Sequence, residues 1–258
     1  MWKRELQVAL KAGKAASQII MEIYQGDFEV IMKEDQSPVT IADQRADQII
    51  RTILYEKFPT YDFLTEEGKD DLRRLENDYV WIVDPLDGTK DFVHRHGEFT
   101  INIALSYRHE IVVGVIVAPV CRVIYYATKE GGAHRLENGK TTKIYVNNLD
   151  KNLTVLASRF HLTSAETALF EKYKDIIIKV ETVGSSLKAC RIAEGKAELS
   201  YRLSAGTKEW DIAASQLLIE EAGGVLLKPD LTRYQFNRSD VVNREGYVIA
   251  NKIENILL

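Results

Sequence analysis

Cysteine is scarce in this chain: its 258 residues contain two, Cys121 and Cys190. So long a sequence with so few thiols does not rest on a disulfide framework. Both cysteines lie in apolar runs, so two buried free thiols in a reducing compartment are expected. Histidine is thin as well. His94, His96, His109, His134 and His161 are scattered, and no His/Cys cluster has the spacing of a zinc site. No apolar run approaches the ~20 residues of a membrane span. The opening stretch MWKRELQVALKAGKAASQII carries charge too often for a signal-peptide core. A soluble, cytoplasmic protein is expected. Positive charge is not in excess: the net charge is −4. Binding to a nucleic-acid polymer or an anionic membrane through bulk charge is therefore excluded, though a local basic pocket for a small phosphorylated molecule is not. Internal repeats, low-complexity tracts and Pro/Gly/Ser-rich linkers are all lacking.

What is present reads as an ordinary globular protein, 45% hydrophobic and 28% charged. The length is large for one core and small for two independent ones. One unit of two packed halves is expected, residues 1–150 and 151–258, meeting around NNLDKNL at 147–153. Trp2, Leu6, Ala9, Leu10, Gly13, Ala16, Ile20 and Tyr24 recur at three- and four-residue steps, one face of a long first helix. A polar stretch follows, in which Pro38 biases Ser37 toward extended backbone. Ala46, Ile49, Ile50, Ile53 and Leu54 mark a second helix, with Pro59 past its end. YDFLTEE is a short strand. YVWIVDPLDGT is a strand apolar on both faces that Pro85 should break. FTINIALSY, IVVGVIVAPV and CRVIYYAT form an antiparallel meander. The charged, aperiodic KDDLRRLEND reads as a mobile loop. The second half alternates: strand TVLAS, helix 164–173, strand DIIIKVET, helix 186–194, strand AELSYR and helix 211–222. Gly223 and Gly224 end the last of these helices, and the short strands GVLLK and YVIAN follow. Such alternation predicts a layered α/β arrangement.

Four acidic motifs carry the chemistry. In WIVDPLDGTKDF an apolar strand delivers Asp84, and Asp87 follows three residues later across a turn, so both can address one point. Hard divalent cations want such oxygen ligands, and the Leu86 carbonyl lies between the two. Gly88 permits close backbone approach, and the amides of Gly88 and Thr89 at a helix start would suit a phosphate. Read alone, D-x-x-D is equally a solvated acidic turn. In FLTEEG the two acids point opposite ways, so one of them, Glu66 by preference, can reach a metal while Glu67 stays in solvent. Thr40-x-x-Asp43 in SPVTIAD is either a capping box or a proton acceptor at the metal centre. Asp211 in EWDIAA is either a dipole-favoured helix cap or a ligand, with Trp210 in the core.

Together, in order, SPVTIAD, the acidic pair, DPLDGT and WDIAA resemble the lithium-sensitive, Mg²⁺-dependent phosphatases of the inositol monophosphatase superfamily, over essentially the whole chain. DPLDGTKDF, GEFTINIAL, GVIVAPV and VGSSLKACRIAEGKAELSYR are most similar to the bacterial 3′(2′),5′-bisphosphate nucleotidases. Asp91 stands where the inositol-type pattern D-G-T-x-N-F has Asn. The resemblance implies the sugar-phosphatase fold, a layered α-β-α-β-α sandwich, with the site between the halves. It implies two to three Mg²⁺, with Li⁺ as inhibitor. The ligands would be Glu66, Asp84, Leu86 through its carbonyl, Asp87 and Asp211, with Thr89, Glu66 and Asp43 activating a water. Beyond Asp87, Gly88, Thr89 and Asp211, substrate selection would fall to Ser185, Lys188, Arg202 and His161, with Arg159 a further candidate and Lys208 and Glu209 at the entrance. The implied reaction is removal of the 3′-phosphate from adenosine 3′,5′-bisphosphate. An inositol-1-monophosphatase or fructose-1,6-bisphosphatase is the alternative of the same class, and a non-catalytic metal- or nucleotide-binding regulator the alternative of another. Monomer and homodimer both stay open.

Overall fold

The computed structural model describes residues 1–32 and 38–258, so the expectation at Ser37 lies outside the described residues. The first half contains α1 (Lys3–Gln25), a two-stranded hairpin of β1 (Val30–Met32) and β2 (Pro38–Thr40), and α2 (Ile41–Lys57). Then come β3 (Asp62–Thr65), β4 (Tyr79–Asp87), the short α3 (Thr89–Val93), β5 (Thr100–Tyr107), β6 (Glu110–Ala118), β7 (Val123–Thr128), β8 (Gly132–Glu137) and β9 (Lys140–Ile144). Strands β3 to β9 form one seven-stranded sheet in chain order. The second half contains β10 (Leu153–Ala157), α4 (Ser164–Lys172), β11 (Ile177–Thr182), α5 (Leu187–Ala193), β12 (Leu199–Arg202), β13 (Thr207–Lys208) and α6 (Glu209–Glu221). It ends with β14 (Val225–Leu227), β15 (Val242–Asn243) and β16 (Tyr247–Ala250). Its five-stranded sheet has the order β11-β10-β12-β16-β14.

The layering follows from strand alternation. On β4, Trp81 and Val83 join the cluster under α1 and α2, whereas Val80 and Ile82 face the opposite way. On β16, Ile249 joins the same central cluster as Ile82, while Val248 and Ala250 pack with Phe170 of α4. The central cluster also takes Ile192 of α5 and Leu217 of α6. Successive side chains of a strand leave on opposite faces, so a strand apolar on both faces needs two covered faces. The stack is therefore α1/α2, seven-stranded sheet, α5/α6, five-stranded sheet, α4. Gly114 on β6 makes the middle contact tight: a Cβ there would stand 3.0 Å from the Ala214 carbonyl oxygen of α6. At the junction of the halves, Asn251 donates to Asn147 Oδ1 at 2.9 Å and to the Leu149 carbonyl at 2.9 Å.

Three expectations are corrected. Pro85 does not break its strand. The β4–β5 register runs Asp84 opposite Asn102 and Asp87 opposite Thr100, so three steps on β4 match two on β5. That one-residue bulge accommodates a residue lacking an N–H. Cys121 is exposed, and only Cys190 is buried. Cys121 sits in the tight β6–β7 turn, closed by the Arg122 N–H to the Pro119 carbonyl at 3.2 Å, where apolar neighbours in sequence do not mean a covered face. The segment 69–78 is tied down. Arg74 is 2% exposed; it pairs with Asp70 at 2.7 Å and donates to Asn237 Oδ1 at 2.7 Å and to the Arg238 carbonyl at 3.0 Å. A buried guanidinium with its donors satisfied anchors a segment whose charge pattern suggests solvent. The sheet also extends beyond the expected meander through β8 and β9. Their polar faces (Lys140, Thr141, Thr142 and Lys143 are exposed) gave no alternating apolar signal.

Candidate metal and phosphate site

The bulge that houses Pro85 is also what builds the site. On a regular strand, residues three apart face opposite sides. With one extra residue inserted, Asp84 and Asp87 face the same side, opposite Asn102 and Thr100, which are two apart. Asp211, in the first turn of α6, comes to the same place from the helical layer packed on this sheet. One carboxylate oxygen of each of Asp84, Asp87 and Asp211 lies within 4.8 Å of the others. Glu66, just past the end of β3, lines the same cleft, held to the neighbouring strand by its N–H to the Val83 carbonyl at 3.2 Å. Glu67 is not among the lining residues.

Each acid is oriented. Asp84 Oδ1 accepts the Leu86 N–H at 3.1 Å. Asp87 Oδ2 accepts the Ser186 N–H at 2.7 Å and its hydroxyl at 2.8 Å, with Thr100 and Asn102 at 3.3 Å. Asp211 Oδ2 accepts the Lys208 N–H at 2.5 Å. All these donors sit on one oxygen per residue. No ion pair among the described residues reaches Asp84, Asp87 or Asp211. Desolvation, then repulsion from Glu66, Asp87 and Asp211, pushes the Asp84 carboxyl well above the usual range. Desolvation, then Asp87 and Glu66, pushes Asp211 up to about 8. Converging carboxylates that hold one another's protons on need cations to discharge them. An all-oxygen donor set without His or Cys fits a hard divalent ion.

Asp43 closes the capping box and also reaches Thr89. Its Oδ2 accepts the Thr40 N–H and hydroxyl, each at 2.7 Å, the capping box of α2. Its Oδ1 accepts the Thr89 hydroxyl at 3.2 Å, and that hydroxyl also lies 3.1 Å from the Leu86 carbonyl oxygen. Burial, outweighing the Thr40 hydrogen bonds, raises Asp43 to about 6. Gly88, at φ +89°, starts the turn, and a Cβ there would press within 3.2 Å of Ser185.

The cleft, about 450 Å³, is lined by Gly88, Thr89, Ser185, Lys188, Arg202 and His161 as well as the acids. Lys188 is 8% exposed, with its ammonium on the carbonyls of Ser185 at 2.7 Å and Val183 at 3.3 Å. Burial depresses its pKa. Arg202 has a buried Nε without a hydrogen-bond partner. His161 lies at the rim; desolvation of its ring, then the charges of Arg202, Lys90 and Lys188, lowers it to about 4. Among the described residues neither Lys188 nor Arg202 has an ion-pair partner.

Two candidates are elsewhere. Arg159 is spent on acids of the first half, with Nε to Asp91 at 3.0 Å and Nη2 to Glu98 at 2.5 Å. Glu209 is fully buried and accepts the N–H groups of Asn237 at 2.6 Å and Arg238 at 2.8 Å, so it does not line the entrance; Lys208 does. Sequence reasoning missed Ser186, which joins Asp87 to α5. Its place in GSSLK, directly before the helix, was the available signal. It also missed Asn102, Lys90 and Phe160, whose roles depend on packing across the cleft.

The profile of the inositol monophosphatase family matches residues 1–257. The chain is 39% identical over 227 residues to the 3′(2′),5′-bisphosphate nucleotidase CysQ of Salmonella typhimurium, covering 86% of this chain and 88% of that protein. It is 40% identical over 222 residues to the Escherichia coli protein of the same name, covering 84% and 86%. The crystal structure of CysQ from Bacteroides thetaiotaomicron superposes with a TM-score of 0.84 at 33% identity, over 96% of this chain and 97% of that one. The layered arrangement is thus the fold of these enzymes, and the chain belongs to the inositol monophosphatase family.

Proposed function

We propose that this chain is a metal-dependent phosphomonoesterase that removes the 3′-phosphate of adenosine 3′,5′-bisphosphate, giving AMP and phosphate. The observation that carries the reading is the make-up of the cleft. One cavity holds a cluster of carboxylates together with two cations, the buried Lys188 and the half-buried Arg202, that no acid among the described residues pairs. A buried ammonium on carbonyls alone is costly, and an anionic ligand relieves that cost. A substrate with two phosphates answers both parts, and the nucleotidase relatives point to the same class.

Glu66, Asp84, the Leu86 carbonyl, Asp87 and Asp211 would hold two to three Mg²⁺, with Li⁺ as an inhibitor of the enzyme. When bound, such ions supply charge neutralisation at the phosphate, acidify water and stabilise a leaving oxygen. The chain's own groups do the rest. Thr40 saturates one oxygen of Asp43 and leaves the other for Thr89. The Thr89 hydroxyl donates toward Asp43, so its own lone pairs are left to orient and receive a proton from a water that Glu66 also positions. A carboxyl held near 6 is suited to accept that proton at neutral pH. Arg202 can engage a second phosphate in bidentate fashion, Lys188 as a point charge, with Ser185 and His161 at its flank.

Phosphate release with Mg²⁺ from adenosine 3′,5′-bisphosphate, adenosine 2′-monophosphate, myo-inositol 1-phosphate and fructose 1,6-bisphosphate tests the reading. A kcat/KM for the first about a hundredfold above the others is expected. Preference for the inositol or sugar phosphate removes the nucleotide, and no release from any removes the enzyme.

A further inference from the structure

Asp91 is the position at which this sequence departs from the inositol-type motif, and the structure gives the acid a task. It is 3% exposed on α3. Its Oδ1 accepts Arg159 Nε at 3.0 Å and lies 3.0 Å from His96 Nδ1. Glu98 stands beside it, taking Arg159 Nη2 at 2.5 Å, the Gly184 N–H at 3.0 Å and Arg191 Nη2 at 3.5 Å. Asp91 and Glu98 belong to the first half, and Arg159, Gly184 and Arg191 to the second. The approach is close: a Cβ on Gly184 would stand 2.6 Å from Asp91 Oδ2 and 2.6 Å from the Glu98 carbonyl oxygen.

Two of the anchored residues, Arg159 and Gly184, lead directly into walls of the cleft. Phe160 and His161 follow Arg159; Ser185, Ser186 and Lys188 follow Gly184. The Phe160 ring rests against His94 at 5.5 Å and His96 at 5.8 Å, and His96 is the second partner of Asp91. The carboxylate cluster is fixed by the first half and α6. The cationic wall is fixed, through Arg159 and Gly184, by two acids just downstream of DPLDGT.

We infer that Asp91, supported by Glu98, is a positioning residue for substrate selection. It clamps both wall segments of the second half at a set distance from the metal-binding carboxylates, and so sets whether a phosphoester carrying a second phosphate is preferred to one without. Asn at this position keeps the shape but cannot hold a guanidinium by charge. The inference rests on the nucleotidase reading for the identity of the preferred substrate, but not for the clamp itself.

The test uses Asp91→Asn in the full chain with Mg²⁺. The KM for adenosine 3′,5′-bisphosphate should rise about tenfold, the scale of one charge-assisted hydrogen bond. kcat should stay within about twofold, and KM for adenosine 3′-monophosphate should not move, since uniform binding alone is lost. Hydrogen–deuterium exchange should quicken in peptides spanning 157–163 and 183–188 and stay unchanged in β4. Arg159→Gln, a change at a half-exposed side chain, should reproduce both effects, and the double variant should be no worse than either. Equal KM increases on both substrates, additive losses, or unaltered exchange in the two segments would each overturn the clamp. If the wild type prefers a different phosphate, the nucleotide reading fails while the exchange measurement still decides the clamp.

Discussion

The carboxylate cluster makes the metal-free protein respond to pH in a direction opposite to ordinary acid unfolding. Asp211 sits at about 8 in the folded chain against 3.8 for the free side chain. A carboxyl raised on folding keeps its proton in the native state while the unfolded chain has released it. Its contribution to stability is therefore full below about 3.8, declines as pH rises, and levels off above about 8. Between pH 7.5 and 6.5 the unfolded carboxyl is ionised throughout, while the folded one holds most of a proton across the window. At about 1.4 kcal/mol per pH unit per proton, that window is worth about 1 kcal/mol from Asp211. Asp84, shifted the same way, adds to it. Asp43, at about 6, only begins to take up its proton at the lower edge of this window, and His161, held at about 4 in the folded chain, opposes the trend by a smaller amount as the unfolded imidazole, at 6.5, starts to protonate. For a chain of this size 1 kcal/mol corresponds to about 2–4 °C in Tm.

Thermal unfolding in a chelator at pH 7.5 and 6.5 measures this. The melting temperature should rise as pH falls. Saturating Mg²⁺ should raise it at both values and flatten the dependence, because bound cations replace the protons. Asp211→Asn keeps the size and the acceptor for the Lys208 N–H but removes the charge. It should raise the metal-free melting temperature at pH 7.5 and reduce the slope. A metal-free melting temperature that climbs with pH in this window, or a slope untouched in Asp211→Asn, would refute the account.

Asp87→Asn should abolish turnover while leaving the melting temperature of the metal-free protein equal or higher; near-normal phosphate release in this variant removes Asp87 from the site. Thr89→Ala should lose about 10²–10⁴ in kcat with KM little changed, and Thr89→Ser should recover most of it; a change confined to KM would make Thr89 a binding residue. Lys188→Ala should raise KM for adenosine 3′,5′-bisphosphate by about tenfold or more and leave a simple monophosphate nearly unaffected, whereas equal effects would mean that Lys188 does not read the second phosphate. Gly114→Val should destabilise the fold by about 1–3 kcal/mol by pushing α6 off β6, seen in chemical denaturation; a neutral result would show that the sheet yields at this contact.

Much of this was legible in the residues. The two-sided apolar pattern of YVWIVD reports a strand covered on both faces, because alternation has only two sides to offer. The capping box Thr40–Asp43 and the glycines after α6 act within a turn of chain, so spacing alone specifies them. DPLDGT and WDIAA, with the acid of FLTEEG, name the carboxylates that meet in the cleft. What the sequence left undecided are the partners that a charge takes when several lie within reach. Arg159 and Lys188 are both cations that the sequence offered for substrate selection, yet one closes on Asp91 and Glu98 and the other has only carbonyls. Glu209 and Asp211 are two residues apart on one helix, yet Glu209 faces Arg238 and Asp211 faces Asp84 and Asp87. Arg74 is buried by Asn237, 163 residues away. Local spacing sets backbone geometry, which is a short-range matter. Which carboxylate meets which cation is decided only when the layers close, because Coulomb and hydrogen-bond energies depend on distances that no spacing in the chain records.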